Sequence, residues 1–235
     1  MTTTLITGSN KGLGYETARQ LITAGHAVYI GARDPERGRR AAERLGARFV
    51  ELDVTEDASV VAAAKTIEAG GGLDVLVNNA GIEGRTPDNG VIGAGDETAE
   101  HMRALFETNV FGMVRMFSAF LPLLQRSAAP VVVNVSSGLS KTVDLANPGG
   151  PVHFYQGVAY PASKTAVNMV TVQYAKAFPG IKINAVDPGY TATDLNGRTG
   201  TQTVEEGAEI IVRMAQVGQD GPTGEYFDAG GSISW

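Results

Sequence analysis

Short apolar runs alternate with longer segments of helical periodicity from one end of the 235-residue chain to the other. This alternation is typical of βαβ units, in which each helix crosses over a sheet of parallel strands. No linker-like change in composition interrupts it. The pattern therefore predicts one doubly wound α/β domain over residues 1–235, with helices on both faces of the sheet.

Seven segments have the length and composition of strands, and they predict a seven-stranded parallel Rossmann sheet with strand order 3-2-1-4-5-6-7. The predicted strands are 5–7, 26–30, 48–52, 73–77, 131–135, 182–186 and a last one near Tyr226. The predicted helices are 12–24, 36–45, 57–69, 97–126, 160–177 and 204–215, and the fourth is long enough to contain a break.

Composition excludes several classes of protein. Because the chain has no cysteine, disulfide scaffolds, thiol catalysis and cysteine-ligated metals are excluded. The net charge of −6 argues against nucleic acid as a partner. With no basic leader and no apolar run near the roughly 20 residues of a membrane span, we expect a cytoplasmic protein without a membrane partner.

The three histidines, His26, His101 and His153, are too scattered to predict a metal site. His153 is interpreted as a solvated loop residue, with a substrate contact as the alternative.

A glycine-rich turn follows the first predicted strand and precedes the first helix. Glycine makes up 30 of 235 residues, about 13%, against an average of roughly 7%. Gly8 permits a tight turn, Gly12 lets the backbone approach a pyrophosphate, and Gly14 allows close helix packing. Three glycines could also form a turn with no ligand, but the strand before and the helix after favour dinucleotide binding.

Four motifs in order resemble the short-chain dehydrogenase/reductase family, and the resemblance covers the whole chain. They are Thr7–Gly14 as Thr-Gly-x-x-x-Gly-x-Gly, Asn78-Asn79-Ala80-Gly81, Tyr160-x-x-x-Lys164, and Pro188-Gly189 with Thr193. The resemblance implies cofactor contacts from Gly8, Ser9, Asn10, Lys11, Gly12, Leu13, Gly14, Arg33, Asp53, Val54, Asn79, Ala80, Gly81, Tyr160, Lys164, Pro188, Gly189, Thr191 and Thr193. Asp53 could instead be, or also be, a turn or N-cap residue.

The end of the second strand bears on the choice of cofactor. An arginine there binds the 2′-phosphate of NADP, whereas an acidic residue accepts from the ribose of NAD. Arg33 and Lys11 favour NADP(H), and Ala32 stands where NAD-using relatives carry aspartate. Asp34 as a ribose acceptor is the competing interpretation.

Reduction of a carbonyl by hydride transfer needs a proton donor and stabilisation of oxyanion charge. Tyr160 and Lys164 lie four residues apart on one helix face, so the ammonium could lower the pKa of the tyrosine. Ser137, after the fifth strand, could donate to the carbonyl oxygen, and the family resemblance implies the same role. The resemblance also makes Asn109 the fourth active-site residue, which holds a water next to the lysine.

Each of these residues also has a structural interpretation. A Tyr-x-x-x-Lys pair occurs by chance on many helices, a serine pair after a strand is commonly a turn, and Asn109 could be a buried amide that satisfies backbone groups. The family order of all the motifs favours the catalytic interpretation.

An insertion at about 138–159 separates Ser137 from Tyr160, and it resembles the carbonyl-reductase branch of the family. In that branch an insertion here can obstruct a helix interface, so we expect a monomer or dimer rather than a tetramer. The predicted substrate residues are Leu139, Phe154, Tyr155 and Tyr190. Phe154 and Tyr155 could instead pack the insertion against the domain.

The sequence predicts NADPH-dependent reduction of an apolar ketone or aldehyde to the alcohol, with Tyr160 as general acid/base. One alternative is an NAD-dependent alcohol dehydrogenase, if Asp34 binds the ribose. Another is a non-catalytic, dinucleotide-sensing regulatory protein, although such proteins can dispense with the tyrosine or lysine that this chain retains.

Overall fold

Eight strands form a single sheet in the computed structural model, which describes residues 1–235. The strands are β1 (Thr3–Thr7), β2 (Ala27–Ala32), β3 (Arg48–Glu51), β4 (Val75–Asn78), β5 (Val131–Val135), β6 (Lys182–Val186), β7 (Tyr226–Asp228) and β8 (Gly231–Ile233). The helices are α1 (Gly12–Thr23), α2 (Pro35–Leu45), α3 (Asp57–Ala69), α4 (Ala99–Phe106), α5 (Gly112–Arg126), α6 (Thr142–Ala146), α7 (Ala159–Ala177) and α8 (Val204–Ala215).

The strand order is β3-β2-β1-β4-β5-β6-β7-β8, so the predicted order of the first seven strands is confirmed. The eighth strand, β8, pairs antiparallel with β7 and was not predicted. Its three residues carry no alternation of apolar and polar side chains, and the strand exists because of a tight turn. The Asp228 carboxylate makes that turn by accepting from the backbone N–H groups of Gly230 and Gly231.

Apolar side chains fill both faces of the sheet. Successive residues of a strand point to opposite faces, so Leu5 packs with α3, α5 and α7 while Ile6 packs with α1, α2 and α8. The central strand β5 shows the same division, because Val132 belongs to the first core and Val133 to the second. Helices on both faces are therefore confirmed. Each helix is too short or too polar to cross a membrane.

The long helical segment predicted at 97–126 contains a break. Helix α4 ends at Phe106, a single π-helical turn spans Glu107–Phe111, and α5 begins at Gly112. Such turns insert an extra residue and often occur at functional sites. Here the π turn carries Asn109, which is buried.

A chain of buried amide and hydroxyl groups connects the sheet to α7. The Asn78 side-chain amide donates to the Asn134 side-chain oxygen at 2.8 Å, and the Asn134 amide donates to the Thr171 hydroxyl at 2.8 Å. Thr171 in turn donates to the Val167 carbonyl at 2.8 Å. Since α7 carries Tyr160 and Lys164, this chain fixes the helix relative to the ends of β4 and β5.

We expect Asn134→Ala to lower the free energy of unfolding by about 1–3 kcal/mol, because it leaves the buried Asn78 amide without its acceptor. Urea unfolding followed by circular dichroism measures the change. Asn147→Ala, at an exposed position of the insertion, is the matched control and should change stability by less than about 0.5 kcal/mol. Equal urea midpoints for the two variants would show that the buried series of hydrogen bonds does not stabilise the fold.

Candidate active site

An open cleft of about 1080 Å³ lies at the carboxyl ends of the parallel strands. It crosses the position between β1 and β4, where the strand order reverses direction and doubly wound folds bind ligands. All but one of the residues predicted to contact the cofactor line this cleft. The exception, Ser9, is fully buried, and its hydroxyl donates to the Ile6 carbonyl at 2.7 Å, so it supports the glycine turn from beneath.

Two glycines of the turn have no room for a side chain, and two have a backbone conformation that favours glycine. Gly8 and Gly12 have φ angles of +63° and +57°, which side chains rarely tolerate. A Cβ atom on Gly14 would lie 2.5 Å from the Asn79 amide nitrogen and 2.9 Å from the Gly8 carbonyl oxygen. A Cβ atom on Gly12 would meet only Thr193, at 3.8 Å, so this backbone faces the cleft. The turn thus has the shape that a pyrophosphate needs.

The segment after β4 is hydrogen-bonded to the glycine turn. The Thr7 hydroxyl accepts from the backbone N–H groups of Asn79 and Ala80, at 3.0 and 2.9 Å. The Asn79 side-chain amide donates to the Thr7 carbonyl at 2.8 Å. These bonds hold the glycine turn against the Asn-Asn-Ala-Gly segment, and the two together form one wall of the cleft. Gly81 is part of the same wall.

Positive charge gathers where β2 ends. Arg33 and Arg37 line the cleft there, whereas the Lys11 ammonium, which also lines the cleft, pairs with the Asp194 carboxylate at 2.8 Å. Asp34 caps α2 instead, because its carboxylate accepts from the Arg37 backbone N–H at 3.0 Å and pairs with the Arg37 guanidinium at 3.2 Å. The hydrogen bond from the Arg37 backbone keeps the pKa of Asp34 below its usual value. Arg37 was not predicted from the sequence, although its place four residues after Arg33 is a usable signal.

Asp53 and Val54 line the cleft after β3. The Asp53 carboxylate accepts from the Thr55 backbone N–H and hydroxyl, at 2.9 and 2.7 Å. Asp53 is therefore a turn residue at the cleft, which leaves room for a role toward the adenine as well.

Tyr160, Lys164 and Ser137 meet in the cleft between β5 and α7. The first two side chains project from the start of α7 and are almost buried, with 9% and 5% of their surfaces exposed. The Lys164 ammonium donates to the Val135 carbonyl at 2.8 Å and lies 5.6 Å from the centre of the Tyr160 ring. The neighbouring Ser136 donates instead to the buried Asn168 side chain at 2.6 Å, so Ser137 is the serine free to act at the tyrosine.

Burial determines the pKa values of this pair. Desolvation raises the pKa of Tyr160 well above its usual value, the negative charge of Glu83 adds to the rise, and an interaction with the Ser137 hydroxyl opposes it. The pKa of Tyr160 is therefore raised rather than lowered, because desolvation is the largest cause of the shift. Desolvation also lowers the pKa of Lys164 to about 8. At neutral pH the lysine stays mostly charged and the tyrosine keeps its proton.

The Asn109 side chain has a structural role. Its oxygen accepts from the Ile82 backbone N–H at 2.8 Å, and its amide donates to the Ile82 carbonyl at 2.9 Å and to Ser163 at 3.0 Å. It thereby fastens the segment after β4 to α7. A cavity of about 10 Å³, roughly the room that one water needs, lies between Asn109 and Lys164. The water-holding role of Asn109 stays a prediction.

The four predicted substrate residues divide into two pairs. Leu139 and Tyr190 line the cleft, and Pro188, Gly189, Thr191 and Thr193 lie beside them. Phe154 and Tyr155 are not among the residues that line it. Phe154 is 76% exposed, and the Tyr155 hydroxyl donates to the Glu83 carboxylate at 3.0 Å. Their assignment to the pocket is not supported, and Tyr155 packs the insertion against the domain.

Several other charged residues of the cleft were not predicted from the sequence, among them Glu83, Arg85 and Asp187. Asp187 accepts from the Gly189 backbone N–H at 2.9 Å and so fixes the Pro188-Gly189 turn, and its burial raises its pKa. Glu83 and Arg85 follow the Asn-Asn-Ala-Gly motif at a spacing that carries no signal by itself.

Three features together define a dinucleotide-binding oxidoreductase fold. They are the glycine turn, the reversal of strand order between β1 and β4, and the presence of Tyr160 and Lys164 on α7. A family model described as short chain dehydrogenase matches residues 2–204, so the chain belongs to this family. The (+)-neomenthol dehydrogenase of Capsicum annuum is 32% identical over 298 aligned positions, which cover 95% of this chain and 94% of the relative. The (-)-isopiperitenone reductase of Mentha piperita is 31% identical, with 95% of each chain covered.

Solved structures show the same fold. The NADPH-bound carbonyl reductase from chicken fatty liver superposes with a TM-score of 0.86 at 27% identity and covers 99% of this chain and 98% of its own. The salutaridine reductase of Papaver somniferum gives a TM-score of 0.84 at 29% identity, with 97% and 99% covered.

We expect Gly8→Ala to abolish dinucleotide binding, because the new Cβ atom would lie 3.0 Å from the Ala80 Cα atom and would move the wall of the cleft. Binding of NADPH and NADH, measured by calorimetry, tests this. Gly25→Ala is the matched control, since Gly25 also has a positive φ, +90°, but no atom lies within 4 Å of its added Cβ.

Both variants should lose about 1–2 kcal/mol of stability from the left-handed backbone conformation. If Gly8→Ala bound the dinucleotide as tightly as Gly25→Ala does, the glycine turn would not be the binding site.

Proposed function

We propose that this protein reduces a ketone or aldehyde to the alcohol with NADPH. The observation that carries the proposal is the meeting of Tyr160, Ser137 and Lys164 at the cleft that the glycine turn also lines. A proton donor, a hydroxyl and an ammonium in one desolvated place are what a carbonyl oxygen needs when it becomes an alkoxide.

Bound NADPH supplies the hydride to the carbonyl carbon. The Ser137 hydroxyl donates a hydrogen bond to the carbonyl oxygen and orients it toward Tyr160. As negative charge develops on that oxygen, the Tyr160 hydroxyl gives up its proton and the alcohol forms. The charged Lys164 next to the ring stabilises the tyrosinate, which then takes a proton from solvent. Because the pair is buried, these interactions act in a low-dielectric site and are stronger than in water.

The charges at the end of β2 support NADPH over NADH. Arg33 and Arg37 line the cleft where the ribose 2′-position falls in this fold. Lys11 lines the same cleft and pairs with Asp194. Asp34, the one candidate for a ribose acceptor, already caps α2 and pairs with Arg37. A 2′-phosphate there would therefore meet the guanidinium groups of Arg33 and Arg37, and the carboxylate next to them is already engaged.

We expect Tyr160→Phe to lower kcat for carbonyl reduction by about 10²- to 10⁴-fold, because the variant lacks the proton donor. Oxidation of NADPH with a panel of aldehydes and ketones, followed at 340 nm, measures it. NADPH binding by the variant serves as the control and should persist, since the ring remains. An absence of turnover by the natural protein on the whole panel would refute the proposed reaction.

We expect Arg33→Ala to weaken NADPH binding by about tenfold or more, through loss of charge-assisted hydrogen bonds, and to leave NADH binding nearly unchanged. Titration of intrinsic fluorescence with each dinucleotide measures both constants. Arg40→Ala, which removes an exposed arginine of α2 outside the cleft, is the control and should change neither. Tighter binding of NADH than of NADPH by the natural protein would contradict the proposed preference.

A further inference from the structure

A shielded ion pair forms part of the cleft wall beside Tyr160. The Arg85 guanidinium donates to both oxygens of the Glu83 carboxylate, from Nε at 3.0 Å and from Nη2 at 2.8 Å. The Glu83 side chain is only 6% exposed and the Arg85 side chain 16%. Both residues line the same cleft as Tyr160, and the charge of Glu83 acts on the tyrosine directly. The pair therefore lies in the cleft that a substrate enters to reach Tyr160, within electrostatic range of that residue.

The pair retains hydrogen-bonding capacity. The carboxylate, which can accept about four hydrogen bonds, receives two from Arg85 and one from Tyr155 at 3.0 Å. The guanidinium has five N–H donors, and besides its two bonds to Glu83 it makes one to the Asn89 carbonyl at 2.8 Å. One acceptor position and two donors remain, so a ligand group can bind to both partners of the pair.

A hydrocarbon substrate fits this wall poorly. It would remove the remaining water from an ion pair and offer no hydrogen bond in return, which is unfavourable for partly buried charges. A charged substituent would meet one repelling partner, because the pair is neutral as a whole. An alcohol group both donates and accepts, so it can bind Glu83 and Arg85 at once.

We propose that Glu83 and Arg85 form a substrate subsite for a hydroxyl group, and that the substrate is a hydroxylated ketone or aldehyde rather than a purely apolar one. This inference rests on the proposed carbonyl reduction and narrows its substrate class. Glu83 and Arg85 are in this view specificity-determining residues, while the chemistry stays with Tyr160, Ser137 and Lys164.

The test compares hydroxycyclohexanones with methylcyclohexanones substituted at ring positions 2, 3 and 4, because hydroxyl and methyl groups are similar in size. With NADPH and the natural protein, kcat/KM should favour the hydroxyl compound by about tenfold at one ring position at least. A preference for methyl at every position would overturn the subsite while leaving the proposed reduction intact. No turnover of any ketone would overturn both.

The double variant Glu83→Leu/Arg85→Met removes both charges together and keeps similar volume, so no unpaired charge is left behind. We expect it to reduce the hydroxyl preference to near one. Glu68→Leu/Arg126→Met removes an exposed ion pair remote from the cleft and should keep the full preference. An unchanged preference in the first variant would also overturn the subsite, and the comparison on the natural protein remains decisive if that variant does not fold.

Discussion

The backbone of the glycine turn lies directly against the segment that follows β4, and the shape of the whole cleft depends on this contact. A Cβ atom on Gly8 would be 3.0 Å from the Ala80 Cα atom, and the Thr7 hydroxyl accepts from two successive N–H groups of that segment. Strands β1 and β4 are neighbours here, although many residues separate them in the chain. The close approach leaves a smooth backbone wall on which a dinucleotide can lie, because no side chain intervenes.

Buried polar groups connect this segment and its neighbouring strands to α7, the helix that carries Tyr160 and Lys164. Asn109 fastens the segment after β4 to α7, and Asn134 connects the strands to the same helix through Thr171. Burial of these amides costs free energy unless every partner is present, so the arrangement holds α7 in one place. Tyr160 and Lys164 consequently sit in a desolvated site in which a small displacement would weaken proton transfer.

Patterns that are local in the sequence predicted their structures well. Gly8, Gly12 and Gly14 lie in the predicted turn, and the seven predicted strands are present in the predicted order. Features that depend on distant contacts were missed or misplaced. Strand β8 forms by pairing with β7, and the Phe154 side chain is exposed to solvent. The pKa of Tyr160 rises because the residue is buried, and the Tyr-x-x-x-Lys spacing carries no information about burial.

Local sequence patterns were sufficient to predict the class of fold, the glycine turn and the spacing of Tyr160 and Lys164 on one helix, since each depends on backbone geometry within a few residues. Which charges share the cleft with them depends on how the chain folds. Asp34 caps a helix, Arg37 joins Arg33 at the cleft, and the Glu83 and Arg85 pair lines the same cleft as the tyrosine. Electrostatic interactions act through space, and a sequence pattern, which records only separation along the chain, could not predict them.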